Sequence, residues 1–369
     1  MNVLSLFDGK SSGYTACELA GIKIDTYYSA EVDKYAIKVS DAIHPNQIRL
    51  GDVTKWRDWD IDWSSIDMIF GGFPCQAWSM AGKQMGDKDE RGMLFWTMLD
   101  IMKHVRHHNP KADFLIENVK MKKEFEEYIT FHMNNAVGDV HKILINSALV
   151  SAQNRNRYYW TSFEVTQPED KGIALADIIE SDFVDREKSH CIDANYFKGG
   201  NIKSYFEKHR RHLVFCGAIR GRYIVDGKRA DHTVESMAGK TEQRLELRKD
   251  EKTNALTTVQ KDNQLVFLPD SNYSERCKKQ IIKNSKHPNQ KAVAVCTNSN
   301  MTGSGVNVLT KDDLHYRKLT PRECFRLQTV PEHYIDKILS CGVSNTQLCK
   351  IAGNGWTDEV IAHILRCMK

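Results

Sequence analysis

The chain carries ten cysteines but no C-x-x-C pair, and its paired histidines (His107 with His108, His209 with His212) have no cysteine partners at zinc-ligand spacing. A structural zinc site is therefore not expected. The scattered thiols read as reduced cysteines of a cytosolic protein. Proline is scarce, at 8 residues in 369, while hydrophobic residues make up 41% and charged residues 27%, which excludes a disordered or collagen-like chain. No stretch reaches the roughly 18 consecutive apolar residues of a membrane span. The opening MNVLSLFDGKSSG lacks a basic segment and a long apolar run, so it reads as a first strand and not as a signal peptide. Internal repeats and low-complexity segments are absent. The length suits two domains better than one or four.

The net charge of +4 hides an asymmetry. Residues 195–300 hold 21 Lys and Arg against 11 Asp and Glu, a balance of +10, and the rest of the chain balances at −6. That segment is either a candidate polyanion-binding surface or a lysine-rich solvated face.

Up to about residue 160, short apolar runs alternate with amphipathic stretches. Val3–Phe7, Thr26–Glu31, Asp67–Phe70 and Phe114–Ile116 read as strands, and Tyr14–Ala20, Lys34–Ile43 and Leu94–Val105 as helices. This alternation predicts a parallel sheet covered on both faces, with ligands at the carboxyl ends of the strands. From about Glu164 to His315 the runs shorten and Gly, Asn, Asp and Thr punctuate them, as in LVFCGAIRGRYIV and ALTTVQKDNQLVFL. A smaller β-rich domain is expected there. Leu319–Leu327 and Val360–Met368 look helical again, so the tail is expected to rejoin the first sheet.

Chemistry-bearing residues follow the strands in order. F-D-G-K-S-S-G (Phe7–Gly13) lets the backbone turn and approach a ligand. Glu31 stands where an acidic side chain commonly holds ribose hydroxyls, and Asp52 follows a third strand, although by itself it is an ordinary turn aspartate. Together they suggest an adenosine-containing cofactor. G-G-F-P-C-Q (Gly71–Gln76) puts Cys75 on a loop at a strand end, where a thiol is placed for nucleophilic attack. I-E-N-V (Ile116–Val119) brings the carboxylate of Glu117 to the same edge. In Q-N-R-N-R (Gln153–Arg157), read as a strand, Gln153, Arg155 and Arg157 share one face. Two cations there suit a phosphate or a polarised carbonyl, or else face solvent. Tyr196, Phe197, Tyr205, Phe206 and Tyr223 could stack bases but fit the core of the small domain better.

With R-K-L-T-P-R-E-C-F-R-L-Q (Arg317–Gln328) and G-N-G-W (Gly353–Trp356) following in order, the chain resembles the cytosine-C5 DNA methyltransferases, particularly the compact phage and restriction–modification type. The resemblance covers roughly residues 1–160 and 316–369. It implies an α/β, Rossmann-like S-adenosylmethionine-dependent methyltransferase sheet with a smaller β-rich target-recognition domain. Residues 1–163 would be catalytic and cofactor-binding, with 330–369 returning to them, and 164–329 would recognise DNA.

The resemblance further implies that Cys75 adds to C6 of a flipped-out cytosine in double-stranded DNA, and that Glu117 binds N3 and the exocyclic amine. Arg157 would meet O2, with Arg155 in support. S-adenosylmethionine would lie against Phe7, Gly9, Lys10, Glu31, Asp52, Pro74, Leu94 and Asn354. Gln76, Ser79, Lys83, Arg91 and Gln153 would contact DNA, Gln76–Gly92 forming the family's closing catalytic loop. A monomer in the cytoplasm of a bacterial or phage-infected cell is expected, with or without a cognate restriction endonuclease. RNA cytosine methylation and an inactive DNA-binding regulator are the alternatives. The base that removes the C5 proton matches no motif.

Three positions depart from the family pattern. Lys10 replaces an apolar or small residue. It would point to solvent or pair with Asp8, or else meet an anionic group near the reactive end of the cofactor. The last reading would favour carboxy-S-adenosylmethionine and carboxymethyl transfer. Ser5 stands where an acidic residue is frequent, and Ala81 where a polar residue can fill the gap left by the flipped base.

Overall fold

The structure is a computed structural model that describes residues 1–74, 93–180, 184, 186–196, 205, 208–215, 218–225, 228–229, 241–246 and 316–368. The chain divides into two compact units. One comprises Met1–Ala174, Lys188–Lys198 and Thr320–Lys369, the other Leu175–Glu187 and Gly199–Leu319.

The first unit is built on a seven-stranded sheet. Its strands are β1 (Asn2–Leu6), β2 (Thr26–Ala30), β3 (Ile48–Arg49), β4 (Met68–Gly71), β5 (Asp113–Val119), β6 (His141–Asn146) and β7 (Asn156–Thr161), in the order β3-β2-β1-β4-β5-β7-β6. Strands β1 to β5 are parallel, and β7 runs antiparallel to both of its neighbours.

Apolar side chains alternate between the two faces, as the two-residue period of a strand requires. Leu4, Ile69, Phe114 and Ile116 enter a core with α3 (Met93–His108) and α4 (Lys123–Val137), through Phe95, Met98, Met102, Ile129 and Met133. Val3, Met68, Phe70 and Leu115 enter the opposite core, which Ala16 and Cys17 of α1 (Ser12–Leu19) complete. The returning chain supplies α5 (Pro321–Leu327), α6 (Glu332–Ser340), α7 (Asn345–Asn354) and α8 (Asp358–Arg366). Val360, Ile361 and Ile364 of α8 pack into that second core.

Local signals explain the boundaries. Helix α2 (Lys34–Ile43) starts where the Asp33 carboxylate accepts from the Tyr35 amide at 2.9 Å and ends before Pro45. Helix α5 opens with a reciprocal capping box between Thr320 and Glu323, followed by a proline in its first turn.

In the second unit the described strands pair antiparallel, within the segment expected to be β-rich. β8 (Leu213–Phe215) pairs with β12 (Tyr316–Lys318), and β9 (Ala218–Val225) lies between β10 (Lys228–Arg229) and β11 (Thr241–Glu246). Tyr196 in the first unit and Tyr205 in the second are both buried. ALTTVQKDNQLVFL lies outside the described residues, as do Phe197 and Phe206. No described helix is long and apolar enough to cross a membrane.

His44, the residue that closes α2, is buried, stacks on Tyr14 at 4.1 Å between ring centroids and bonds Thr15 Oγ1 at 2.9 Å. Burial, reinforced by the charge of Lys10, lowers its pKa to about 3. The folded ring is therefore neutral at pH values where the unfolded chain, with a histidine pKa of ~6.5, takes up a proton. The stability due to this group is complete above pH ~6.5 and falls by roughly 1.4 kcal/mol per unit as the pH drops toward 3. Urea unfolding of the parent and of His44→Gln between pH 7 and 4.5 should show a slope in the parent that is shallower by about this amount in the variant.

Candidate active site

The loop after β1 coils through left-handed backbone at Phe7, Gly9 and Ser11 (φ 57°, 61° and 62°). Two of these are not glycine, a conformation that costs of order 1–3 kcal/mol each and persists only where the surroundings enforce it. Asp8 supplies the enforcement. Its buried carboxylate accepts from the hydroxyls of Ser5 (2.5 Å), Ser11 (2.5 Å), Tyr27 (2.8 Å) and Ser29 (2.7 Å). Ser5, the departure from the family's acidic residue, thus serves this network.

Gly9 donates its N–H to Glu31 Oε2 at 2.8 Å, and Glu31 Oε1 accepts from the amides of Val32 and Asp33, each at 2.8 Å. A Cβ on Gly9 would meet nothing within 4 Å, so the loop borders open space beside a carboxylate. Phe7, Pro74 and Leu94 are partly exposed and Asn354, at the end of α7, is exposed. Open space at Gly9 beside the Glu31 carboxylate fits a nucleoside-bearing cofactor. Asp52 also caps a short helical turn, accepting from the Thr54 amide at 2.9 Å.

Lys10 corrects the sequence reading. It meets neither solvent nor Asp8. Its ammonium is fully buried and donates to both oxygens of Asp358 at 2.7 and 2.8 Å, tying the first loop to the start of α8. Burial raises the Asp358 pKa, and the Lys10 charge opposes that rise.

The second cluster lies at the carboxyl end of β5. Antiparallel pairing sets Val119 against Arg157 and Glu117 against Tyr159. Arg157 Nε lies 2.8 Å from Glu117 Oε1, and the Trp356 indole N–H donates to Glu117 Oε2 at 3.1 Å. Asn118 donates to the Phe73 carbonyl at 3.1 Å, tying this strand end to the segment that follows β4.

Arg155 is buried, and burial lowers its pKa. Its guanidinium donates to the carbonyls of Ile192 (2.9 Å), Gly353 (3.2 Å) and Gly355 (2.8 Å). These bonds tie the segment before β7 to the loops at Ile192 and at Gly353–Gly355.

Gln153 also departs from expectation. Strand β7 starts only at Asn156, so Gln153 is not on a shared strand face with the arginines. It is fully buried, with its amide donating to the Leu327 carbonyl at 3.3 Å and accepting from the Ile192 N–H at 2.9 Å. Its side chain is taken up by the protein interior and not by DNA.

Cys75, Gln76, Ser79, Ala81, Lys83 and Arg91 lie outside the described residues. Of the other thiols, Cys17 illustrates an inert core cysteine, since burial pushes its pKa up to about 12. Sequence reasoning missed Trp356 and Asp358. Both fall within or just after G-N-G-W, and a lysine in an otherwise small-residue loop was the one signal that a distant carboxylate would be required.

Removing one member of a buried ion pair strands the other charge, at a cost of about 3–5 kcal/mol, while replacing both with apolar side chains is often neutral. Urea unfolding should therefore show Lys10→Met strongly destabilised and Lys10→Met combined with Asp358→Leu restored to near the parent.

A family model described as C-5 cytosine-specific DNA methylase matches residues 1–369. Type II methyltransferase M1.ScrFI of Lactococcus lactis subsp. cremoris is 29% identical over 338 residues, spanning 90% of this chain and 69% of that protein. Orphan methyltransferase M.SPRI of Bacillus phage SPR is 25% identical over 437 residues, spanning 99% and 97%. The structure of the Entamoeba histolytica methyltransferase EhMeth aligns with a TM-score of 0.56 at 13% identity, covering 100% of this chain and 97% of that one, which is a likeness of fold.

Proposed function

The chain belongs to the C-5 cytosine-specific DNA methylase family, and from that premise we propose that Cys75 and Glu117 act on opposite edges of a cytosine turned out of double-stranded DNA. Extrusion is required because the target atom is inaccessible inside the stack, and it costs a few kcal/mol. The thiolate of Cys75 bonds to ring C6. Glu117 delivers a proton to N3, which takes up the negative charge that the addition would otherwise leave on the ring. Electron density rises at C5, the atom that receives the methyl group. Loss of the C5 proton then expels the Cys75 sulfur and returns the N3 proton to Glu117. A free thiol has a pKa of ~8.5, so its surroundings must favour the anion for this attack.

S-adenosylmethionine supplies the electrophilic methyl group when bound, and Phe7, Gly9, Glu31, Asp52, Pro74, Leu94 and Asn354 are the residues that would hold it. A carboxylated donor would need a free ammonium to meet its carboxylate. Lys10 has its ammonium on Asp358, so the ordinary methyl donor is the reading supported. Arg157 would bind the cytosine O2, and Lys83, Arg91 and the basic segment 195–300 would meet the DNA backbone.

One observation carries this reading. Gly71 of β4 pairs with Ile116 of β5, so the segment Gly71–Pro74 leaves the sheet beside Glu117, whose carboxylate Arg157 grips at 2.8 Å. Cys75→Ser and Glu117→Gln should each lower the methylation rate by roughly 10³-fold or more. Only proteins with Cys75 should form a covalent adduct with DNA containing 5-fluorocytosine. A Cys75→Ser protein that methylates at the parent's rate would end the proposal, and adduct formation on RNA in preference to DNA would reassign the substrate.

A further inference from the structure

Glu117 is held on both sides. Arg157 occupies Oε1, and the Trp356 indole occupies Oε2. Indole N–H is a donor with no acceptor capacity. It can therefore bond a carboxyl oxygen only through that oxygen's lone pair. The indole is itself fixed, because its ring packs edge-on against Phe70 at 6.1 Å and 90°. The backbone opposite makes room for it. A Cβ on Gly72 would lie 3.2 Å from Trp356 Nε1 and 3.6 Å from Glu117 Oε2, against the hydrogen bond itself.

We propose that Trp356 is a positioning residue that decides which oxygen of Glu117 carries the catalytic proton. The inference rests on the reading of Glu117 as the group that protonates N3. With Oε2 kept as the acceptor of the indole N–H, the proton resides on Oε1, and Oε1 is the oxygen that faces the ring. Arg157 has to release Oε1 when the cytosine arrives, which agrees with its assignment to O2. Trp356 touches neither ring nor phosphate and acts only through the carboxyl group.

The test is Trp356→Phe, which keeps an aromatic ring against Phe70 and removes the N–H. Its kcat should fall about tenfold, the size of losing one hydrogen bond to a charged group. KM for DNA and for S-adenosylmethionine should stay within about twofold of the parent. In a Glu117→Gln background the same substitution should change the residual rate little, since two residues acting as one unit are not additive. Should the phenylalanine variant fold poorly by thermal melting, Gly72→Ala, which displaces the indole N–H while retaining Trp356, should give the same drop in kcat at unchanged KM.

An unchanged kcat, a loss carried by KM for S-adenosylmethionine instead of kcat, or an equal loss in the Glu117→Gln background would each overturn the proposal. A Glu117→Gln protein with the parent's activity would instead defeat the underlying reading of Glu117, so the two failures are distinguishable.

Discussion

The site depends on one antiparallel strand, β7, in an otherwise parallel sheet. A parallel neighbour of β5 would bring its amino-terminal end to the far edge, away from Glu117. Because β7 runs the other way, its first residues meet the last residues of β5, and Val119 faces Arg157 in register. The guanidinium then reaches across two residues to the Glu117 carboxylate. A slip of one residue would turn Arg157 to the opposite face of the sheet. The buried segment before β7 guards against such a slip. Arg155 and Gln153 bond carbonyls and amides on three other parts of the first unit, so the start of the strand cannot move without breaking them.

The same logic governs the loop after β1. Its left-handed turns at Phe7 and Ser11 are unfavourable locally and are held from outside by the hydroxyls converging on Asp8. Local sequence there supplies flexibility, and tertiary contacts choose the conformation. The family's reaction needs this rigidity, because two reacting centres must be presented to one small ring, and an error of an ångström in either costs orders of magnitude in rate.

Much of this was legible before any coordinates. Apolar runs ending in Gly9, Glu31, Gly71 and Glu117 give the parallel sheet and its functional edge, because buried strands must be continuously apolar and the change to polar residues marks where they end. The pairing of Pro-Cys-Gln with Glu-Asn-Val is equally local. Contacts between distant residues were not legible. Gln153 and its partner Leu327 are 174 residues apart, and Arg155 and Gly353 are 198 apart. No pattern within a few residues of Gln153 says that its amide will find a carbonyl there, so an alternating Q-x-R-x-R was extended into a strand that begins only at Asn156. Trp356 was passed over for a similar reason. Its value lies in the direction of one N–H, which spacing does not encode.

The ion pair between Lys10 and Asp358 joins residues 348 positions apart and is wholly shielded from water. A lysine at position 10 has nothing to neutralise it until α8 has been made and docked, so the first loop cannot settle early in synthesis. Contacts this remote close late, after the large entropy of the intervening chain has been given up. A chain interrupted before α8 would therefore own a nearly complete sheet and a first loop without the carboxylate that Lys10 binds.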